Sequence, residues 1–317
     1  VAIPVSVLAA HTGITMSAHV IHGARTGPTA FVSAAVHGDE IIGVEIVRRL
    51  LARLDPAALR GTLIAVPIVN AYGLLALSRY LPDRRDLNRS FPGSPRGSLA
   101  ARLANIFMNE IVLRCDFGVD LHSAAVHRHN LPQVRVSRGN DTTAHLAGVF
   151  GAPVVLKSAV RDGSLRAAAE ANGVDVLLYE AGEALRFDEV SVRTGVAGVL
   201  RVLNQRKMIG RKGVSRPRTA PITCPSSEWI RAPQGGLLRL ARTDGDVVQK
   251  GESLGTVADP FGENEAPIVA PLAGVIVGRT VLPIVNEGDP VFHIGHVDDT
   301  EGAEDVVERF TSEFEDT

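Results

Sequence analysis

The chain has 317 residues, 45% of them hydrophobic and 21% charged, a balance that excludes a disordered, collagenous or coiled-coil protein. At roughly 150 residues per domain this length indicates about two folding units. The net charge of −2 is unevenly spread: Asp298 to Thr317 holds nine acidic residues against Arg309, a balance of −8 that leaves the preceding body at +6.

In chain order, residues 29 to 36 read TAFVSAAV between Gly27-Pro28 and His37-Gly38, which predicts a buried strand. Residues 40 to 54 place Ile41, Val44, Ile46, Val47, Leu50 and Leu51 at helical spacing up to Asp55-Pro56. Thr62 to Val69 predicts a second strand, Leu99 to Leu113 a helix, and Asp116 to Leu121 a strand that runs into His122. Val154 to Leu156 (strand), Leu165 to Ala171 (helix), Val174 to Tyr179 (strand) and 188 to 205 (helix) continue the alternation. Strands alternating with helices imply a mixed or parallel sheet covered on both faces, with ligands gathering beyond the carboxyl ends of the strands. His37, His122 and Glu180 each follow a strand candidate, so the three side chains can meet.

Residues 211 to 229 are rich in Pro, Ser and basic side chains and read as a linker. From 230 to 297 short Val, Ile and Leu runs alternate with Gly-Asp and Pro-Gly punctuation, the pattern of an all-β unit. The phrase Ala232-Pro233-Gln234-Gly235-Gly236-Leu237 recurs as Ala270-Pro271-Leu272-Ala273-Gly274-Val275, so two similar hairpin units are expected to pack together. The expected division is a catalytic unit at 1–210, a linker at 211–229, the β unit at 230–297 and a solvated acidic tail at 298–317.

Several classes of partner and location drop out. No apolar run approaches the roughly 20 residues of a membrane helix, and the chain lacks the basic stripes and interleaved aromatics of a nucleic-acid binder. The first ten residues have no basic start, so they do not read as a signal peptide; a chain that does not begin with Met leaves a removed leader open. Cys115 and Cys224 lie far apart and are expected as free thiols of a cytoplasmic protein. The basic body points to a small anionic substrate.

Four stretches carry the chemistry: His37-Gly38-Asp39-Glu40, Asp86-Leu87-Asn88-Arg89, Asp120-Leu121-His122 and Tyr179-Glu180-Ala181-Gly182. A catalytic zinc takes three protein ligands from His and carboxylate and keeps one position open. His37, Glu40 and His122 supply that set, with Asp120 able to accept the other ring N–H of a ligand His. Alone, an H-x-x-E pair is more often a surface His beside a helix-capping acid. Glu180 has Glu183 as its nearest substitute, and Asn88 is equally readable as a turn residue before Phe91-Pro92-Gly93. His19 with His22, His127 with His129, and His293 with His296 have no third ligand set in a motif and are read as ordinary surface or core residues.

HGDE, DLNRSFPG and DLH in this order resemble the succinylglutamate desuccinylase and aspartoacylase family of zinc-dependent deacylases, relatives of the zinc carboxypeptidases. The resemblance covers roughly residues 1 to 210 and implies a carboxypeptidase-like α/β/α sandwich with a mixed sheet, followed by a smaller barrel-sandwich β domain. It implies one Zn2+ held by His37, Glu40 and His122, Glu180 as the base, and Asn88 and Arg89 as substrate anchors. The arginine that polarises the scissile carbonyl in the family matches Arg79 with two residues inserted, and Arg84 and Arg85 are rivals. The expected reaction is hydrolysis of the amide of an N-acyl amino acid or related small N-acyl compound. A zinc carboxypeptidase acting on short peptides, and a metal-free binding module, are the alternatives.

The β unit is similar to biotinyl or lipoyl carrier domains through GDVVQKGESLG and APLAGVIVG. The comparable turn, Glu263-Asn264-Glu265-Ala266-Pro267, has no Lys for attachment, so a cover over the catalytic cleft or a homo-oligomer contact is expected instead. Family members contact substrate through a Tyr of this domain, whereas this chain has no Tyr after Tyr179.

Overall fold

The computed structural model describes residues 1–217 and 219–315. Strands β1 (Ala2–Val7) and β2 (Gly13–Ser17) form an antiparallel hairpin outside the main sheet. The main sheet begins with β3 (His19–His22), β4 (Arg25–Ala34), α1 (Ile42–Arg53), β5 (Arg60–Val66), α2 (Ala71–Leu75), α3 (Leu99–Glu110) and β6 (Phe117–His122). It continues through β7 (Arg128–Ser137), α4 (Asp141–Phe150), β8 (Val154–Ser158), α5 (Leu165–Glu170), β9 (Asp175–Gly182) and α6 (Glu189–Gln205).

The strand order β3-β5-β4-β6-β9-β7 is mixed. Strands β5, β4, β6 and β9 run parallel, while β3 and β7 are antiparallel to their neighbours. Helices cover both faces, as the alternating pattern requires. On one face Ile46 and Leu50 of α1 pack with Val196 and Val199 of α6 and Phe150 of α4. On the other, Leu103 and Phe107 of α3 pack with Leu165 and Ala169 of α5. Each fully buried Leu, Ile, Val or Phe contributes about 1.5–3 kcal/mol, which is why these stripes set the layer order.

Helix α1 starts two residues later than its pattern indicates, and β4 ends before Val36. Ala35 takes a left-handed conformation with φ 50°, which breaks the ladder and frees residues 36–41 to form the loop that carries His37 and Glu40. Gly38 passes so close to α2 that a Cβ there would stand 1.9 Å from the Gly73 carbonyl carbon. Only glycine fits this contact.

The C-terminal region comprises β10 (Ile222–Cys224), β11 (Ser227–Arg231), β12 (Gly236–Leu240), β13 (Val247–Val248), β14 (Ser253–Ala258), β15 (Glu265–Val269), β16 (Gly274–Thr280), β17 (Ile284–Val285), β18 (Pro290–His296) and α7 (Thr300–Glu315). A four-stranded sheet, β15-β14-β12-β17, packs its Leu238, Leu254, Val257 and Ile268 on Ile276, Val291, Phe292 and Ile294 of β16 and β18. These latter strands are not separate from the first unit. Strand β16 pairs antiparallel with the start of β7 through Gly278 with Asn130, Arg279 with His129 and Thr280 with Arg128, so the sheet runs on to β18 and β11.

The stretch expected as a linker behaves in the same way: β10 adds parallel to β8, and β11 begins at Ser227. Unpaired sheet edges on both units are closed by these additions. The acidic tail forms α7, not a wholly solvated segment. Its Ala303 is buried, and Val306, Val307 and Phe310 pack against a cluster containing Leu131, Val275 and Val277. Asp316 and Thr317 of that tail lie outside the described residues. Among the described residues no helix is long and apolar enough to cross a membrane.

Candidate active site

Register brings the distant motifs together. Strands β6 and β9 pair in parallel with His122 opposite Glu180, and β4 pairs with β6 so that Ser33 lies opposite Asp120. Residues two apart on a strand share a face, so Asp120, His122, Leu178 and Glu180 all project to one side of the sheet. His122 is the last residue of β6 and Glu180 stands two residues before the end of β9, so both lie within their strands and not in the loops that follow. The loop after β4 lays His37 and Glu40 over this corner.

The two imidazoles and the Glu40 carboxylate form a buried cluster. His37 Nδ1 lies 2.7 Å from Glu40 Oε1, His122 Nδ1 lies 2.7 Å from Glu40 Oε2, and the ring centroids are 4.9 Å apart. One ligand-capable atom from each of the three residues falls within 4.8 Å of the others. The remaining ring nitrogens are held from outside. His122 Nε2 meets Asp120 Oδ2 at 2.7 Å, with Ser33 Oγ donating to Asp120 Oδ1, and His37 Nε2 meets Asp86 Oδ1 at 3.1 Å. In both rings Nε2 thus faces a carboxylate outside the cluster and Nδ1 faces Glu40 within it.

The electrostatics favour positive charge at this point. Burial alone disfavours charged imidazoles, yet the Glu40 charge and hydrogen bonds donated to Asp86 and Glu40 raise His37 above the ordinary histidine range. Against the same burial, Asp120 and Glu40 raise His122 further. Burial pushes Glu40 up, but His37 and His122 together hold it well below the usual carboxylate range. Three carboxylates around two imidazoles fit a divalent cation, and two His nitrogens with one carboxylate are the donor set of a catalytic zinc site. Among the described residues no other cluster of three or more His, Cys, Asp or Glu side chains approaches closely enough for one ion.

The cluster opens on a cavity of about 410 Å³. Glu180 stands on its wall, with Asn130 Nδ2 donating to Oε2 at 3.0 Å and Arg135 Nη1 3.4 Å from Oε1. Its rival Glu183 instead accepts from the His127 backbone N–H, outside the cavity lining. Arg79 lines the cavity, donates to Glu40 Oε1 at 3.2 Å and grips Asp86 Oδ2 at 2.9 Å. Arg84 and Arg85 are exposed and line no part of it. Asn88 Oδ1 accepts from the Leu165 N–H at the start of α5, and Asn88 lines the cavity together with Arg89. Asn88 thus combines the turn role with a place on the wall. Cys115 and Cys224 form no disulfide, and burial, aided at Cys115 by Asp116, pushes both thiols up to about 12. Neither supplies a thiolate at neutral pH.

Sequence reasoning missed five contributors. Asp86 was legible as the first residue of the Asp-Leu-Asn-Arg stretch but carried no assigned role. Asn130, Arg135, Arg166 and His293 stand in no motif. They reach the cavity from β7, α5 and β18. Among the described residues the other histidine pairs show no shared partner: His129 pairs with Asp244, and His22 meets Thr62.

Residues 26–206 match the succinylglutamate desuccinylase/aspartoacylase catalytic domain. The chain belongs to this family. It is 28% identical over 283 residues to the N-alpha-acetyl-L-2,4-diaminobutyric acid deacetylase of Halomonas elongata, a match covering 86% of this chain and 83% of that one. Among solved structures it resembles the product-bound ectoine utilization protein EutE (DoeB) from Ruegeria pomeroyi, with a TM-score of 0.85, 25% identity and coverage of 93% and 94% of the two chains. A succinylglutamate desuccinylase/aspartoacylase from Rhodobacter sphaeroides superposes with a TM-score of 0.80, 27% identity and coverage of 92% and 93%. Both likenesses extend through the C-terminal β region, beyond the family's catalytic domain. Family membership makes the chain a deacylase-type hydrolase by descent, with the mixed α/β fold expected of it.

Proposed function

We propose that the chain is a zinc-dependent hydrolase that cleaves the amide bond of an N-acyl amino acid or a related small N-acyl compound. The observation that carries this reading is the convergence of His37, Glu40 and His122 in a buried cluster beside Glu180. Zinc bound by these three side chains supplies Lewis acidity toward water and toward the acyl oxygen. The family's N-acyl chemistry and the similarity to an N-acetyl amino acid deacetylase support the substrate class.

Every other step falls to the protein's own groups. Glu180 takes a proton from the attacking water and hands it to the departing amine, work for which a carboxylate fixed on both oxygens is suited. Asn130 and Arg135 hold it in place. Arg89 offers a planar fork for the substrate carboxylate, and Asn88 stands beside it. Arg79, anchored by Asp86, directs its guanidinium toward the developing charge on the acyl oxygen. A panel of N-acetyl, N-succinyl and N-formyl amino acids, with dipeptides as the contrast, tests the reading on protein of measured zinc content. Hydrolysis of at least one N-acyl amino acid that chelation abolishes and zinc restores is expected. Turnover of dipeptides alone, or turnover indifferent to chelation, refutes it.

A further inference from the structure

In the pairing of β16 with β7, Gly278 stands opposite Asn130, and both residues are buried. Strand β7 lies between β16 and β9, so Asn130 has the β unit on one side and the strand of Glu180 on the other. Its Nδ2 donates to Glu180 Oε2 at 3.0 Å. A carboxylate only accepts, so the NH2 end of the amide belongs on the Glu180 side and the Oδ1 end is left for β16. A Cβ added at Gly278 would stand 2.5 Å from that Oδ1. The Gly278 backbone is not in the left-handed region, so what the position demands is space. A glycine inside a strand marks a close approach, and here the approaching group is the amide that holds the proposed base.

Two strand irregularities meet at this point. Strand β7 shifts register against β9 between Asn130 and Gln133, and β16 shifts against β18 between Ile276 and Gly278. Bulges of this kind bend a strand and re-aim a side chain. The join is pinned on either side of the pair. Gln133 Nε2 donates to the Val277 carbonyl at 2.8 Å. Arg279 Nε donates to Asp244 Oδ1 at 2.9 Å, and His129 Nδ1 lies 2.8 Å from Asp244 Oδ2. The His129 carbonyl oxygen would lie 3.2 Å from the added Cβ, a contact that a small shift relieves. With both strands held, a methyl at 278 acts first on the Asn130 amide, the movable group in its path.

We propose that Gly278 is a positioning residue: the space it leaves lets the β unit set the Asn130 amide, and through it the orientation of the Glu180 carboxylate. The chain of contacts rests on the geometry, and its effect on turnover rests on the reading of Glu180 as the base.

A double-mutant cycle on the zinc-loaded full chain tests this, with the fastest-cleaved member of the N-acetyl, N-succinyl and N-formyl amino acid panel as substrate. Gly278→Ala should lower kcat by about ten- to a hundredfold, the scale of a misplaced catalytic group, with little change in KM and zinc still stoichiometric. In the Asn130→Ala background the same substitution should change kcat by less than about twofold, because the amide it displaces is gone. Unchanged kcat in Gly278→Ala, losses that multiply in the double variant, or a raised KM with kcat retained overturns the inference. Should Gly278→Ala not fold, the double variant decides. A folded double variant with the kcat of Asn130→Ala supports the amide as the group in the way, and any other result overturns it.

The arm independent of turnover is the magnetic resonance of the Asn130 side-chain amide in protein carrying isotope-labelled asparagine, assigned by its loss in Asn130→Ala. The proton bonded to Glu180 is expected downfield of a free amide and should move to the free position in both Glu180→Ala and Gly278→Ala. If nothing in the panel is hydrolysed but both variants release that proton, the hydrolase reading falls and the chain of contacts stands. Release in neither variant, or in one only, overturns the inference whatever the turnover.

Discussion

Two groups of residues that meet at the cavity bury their polar atoms in opposite ways. In the metal cluster the ring nitrogens of His37 and His122 and the oxygens of Glu40 all have partners, and Asp86 and Asp120 are themselves held from behind. In the second group Arg135, Arg166 and His293 each keep one buried atom without a partner among the described residues. The histidines show the same division: His37 and His122 are pushed up by carboxylates, and His293 is pushed down by burial and arginines. The first group is surrounded by carboxylates and the second by burial and like charge.

The largest expected effect removes the first group altogether. His122→Ala takes away a ligand and leaves Asp120 without its imidazole, so zinc content measured by atomic absorption should fall to background and hydrolysis with it. Glu180→Gln sharpens the comparison, because it removes the base and spares the cluster: kcat should drop by about 10²–10⁴-fold while zinc stays stoichiometric. Retained turnover would remove Glu180 from its role. Asp120→Asn tests the outer support and should weaken zinc affinity by about 10- to 100-fold, read by competition with a chelator.

Smaller effects are read in stability. Gly38→Ala forces a methyl into the Gly73 backbone and should cost about 1–3 kcal/mol or more in urea unfolding, with loss of zinc through displacement of His37. In the second group the test is pH. His293 remains neutral in the folded chain down to about 3, whereas the unfolded chain protonates it near 6.5. Between these values the unfolded state binds the extra proton, so falling pH destabilises the fold by up to about 1.4 kcal/mol per unit, with no contribution above that window. Urea unfolding at pH 7 and pH 5 should show a smaller pH loss in His293→Gln than in the parent. An equal loss in both would mean that the His293 ring takes up its proton in the native state.

The legible part of the site was local. His37 with Glu40, Asp120 with His122, and Asn88 with Arg89 each lie within a few residues of one another, the first two pairs at strand ends that hydrophobic runs mark out. The illegible part depended on pairing. Asn130 and Arg135 reach Glu180 because β7 runs antiparallel beside β9, and nothing in a residue's neighbours specifies which strand will lie next to it. The same applies to the join between β16 and β7, which carries the β unit into the main sheet where composition indicated a boundary. Helix α7 was legible in principle, since Ala303, Val306, Val307 and Phe310 recur at helical spacing, but the density of acidic residues masked that stripe.

By itself, the sequence determined the alternation of strands and helices, the loop residues that carry the metal-ligand set, and the basic body with its acidic end. Periodicity and motif spacing are properties of contiguous chain, and elementary sterics and burial act on them directly. Tertiary structure alone decided that His122 stands beside Glu180 and that Asn130 and Arg135 reach Glu180 from a neighbouring strand. Those relations arise from strand register and sheet order. Both are settled by the free energy of the whole core, to which no single segment holds the key.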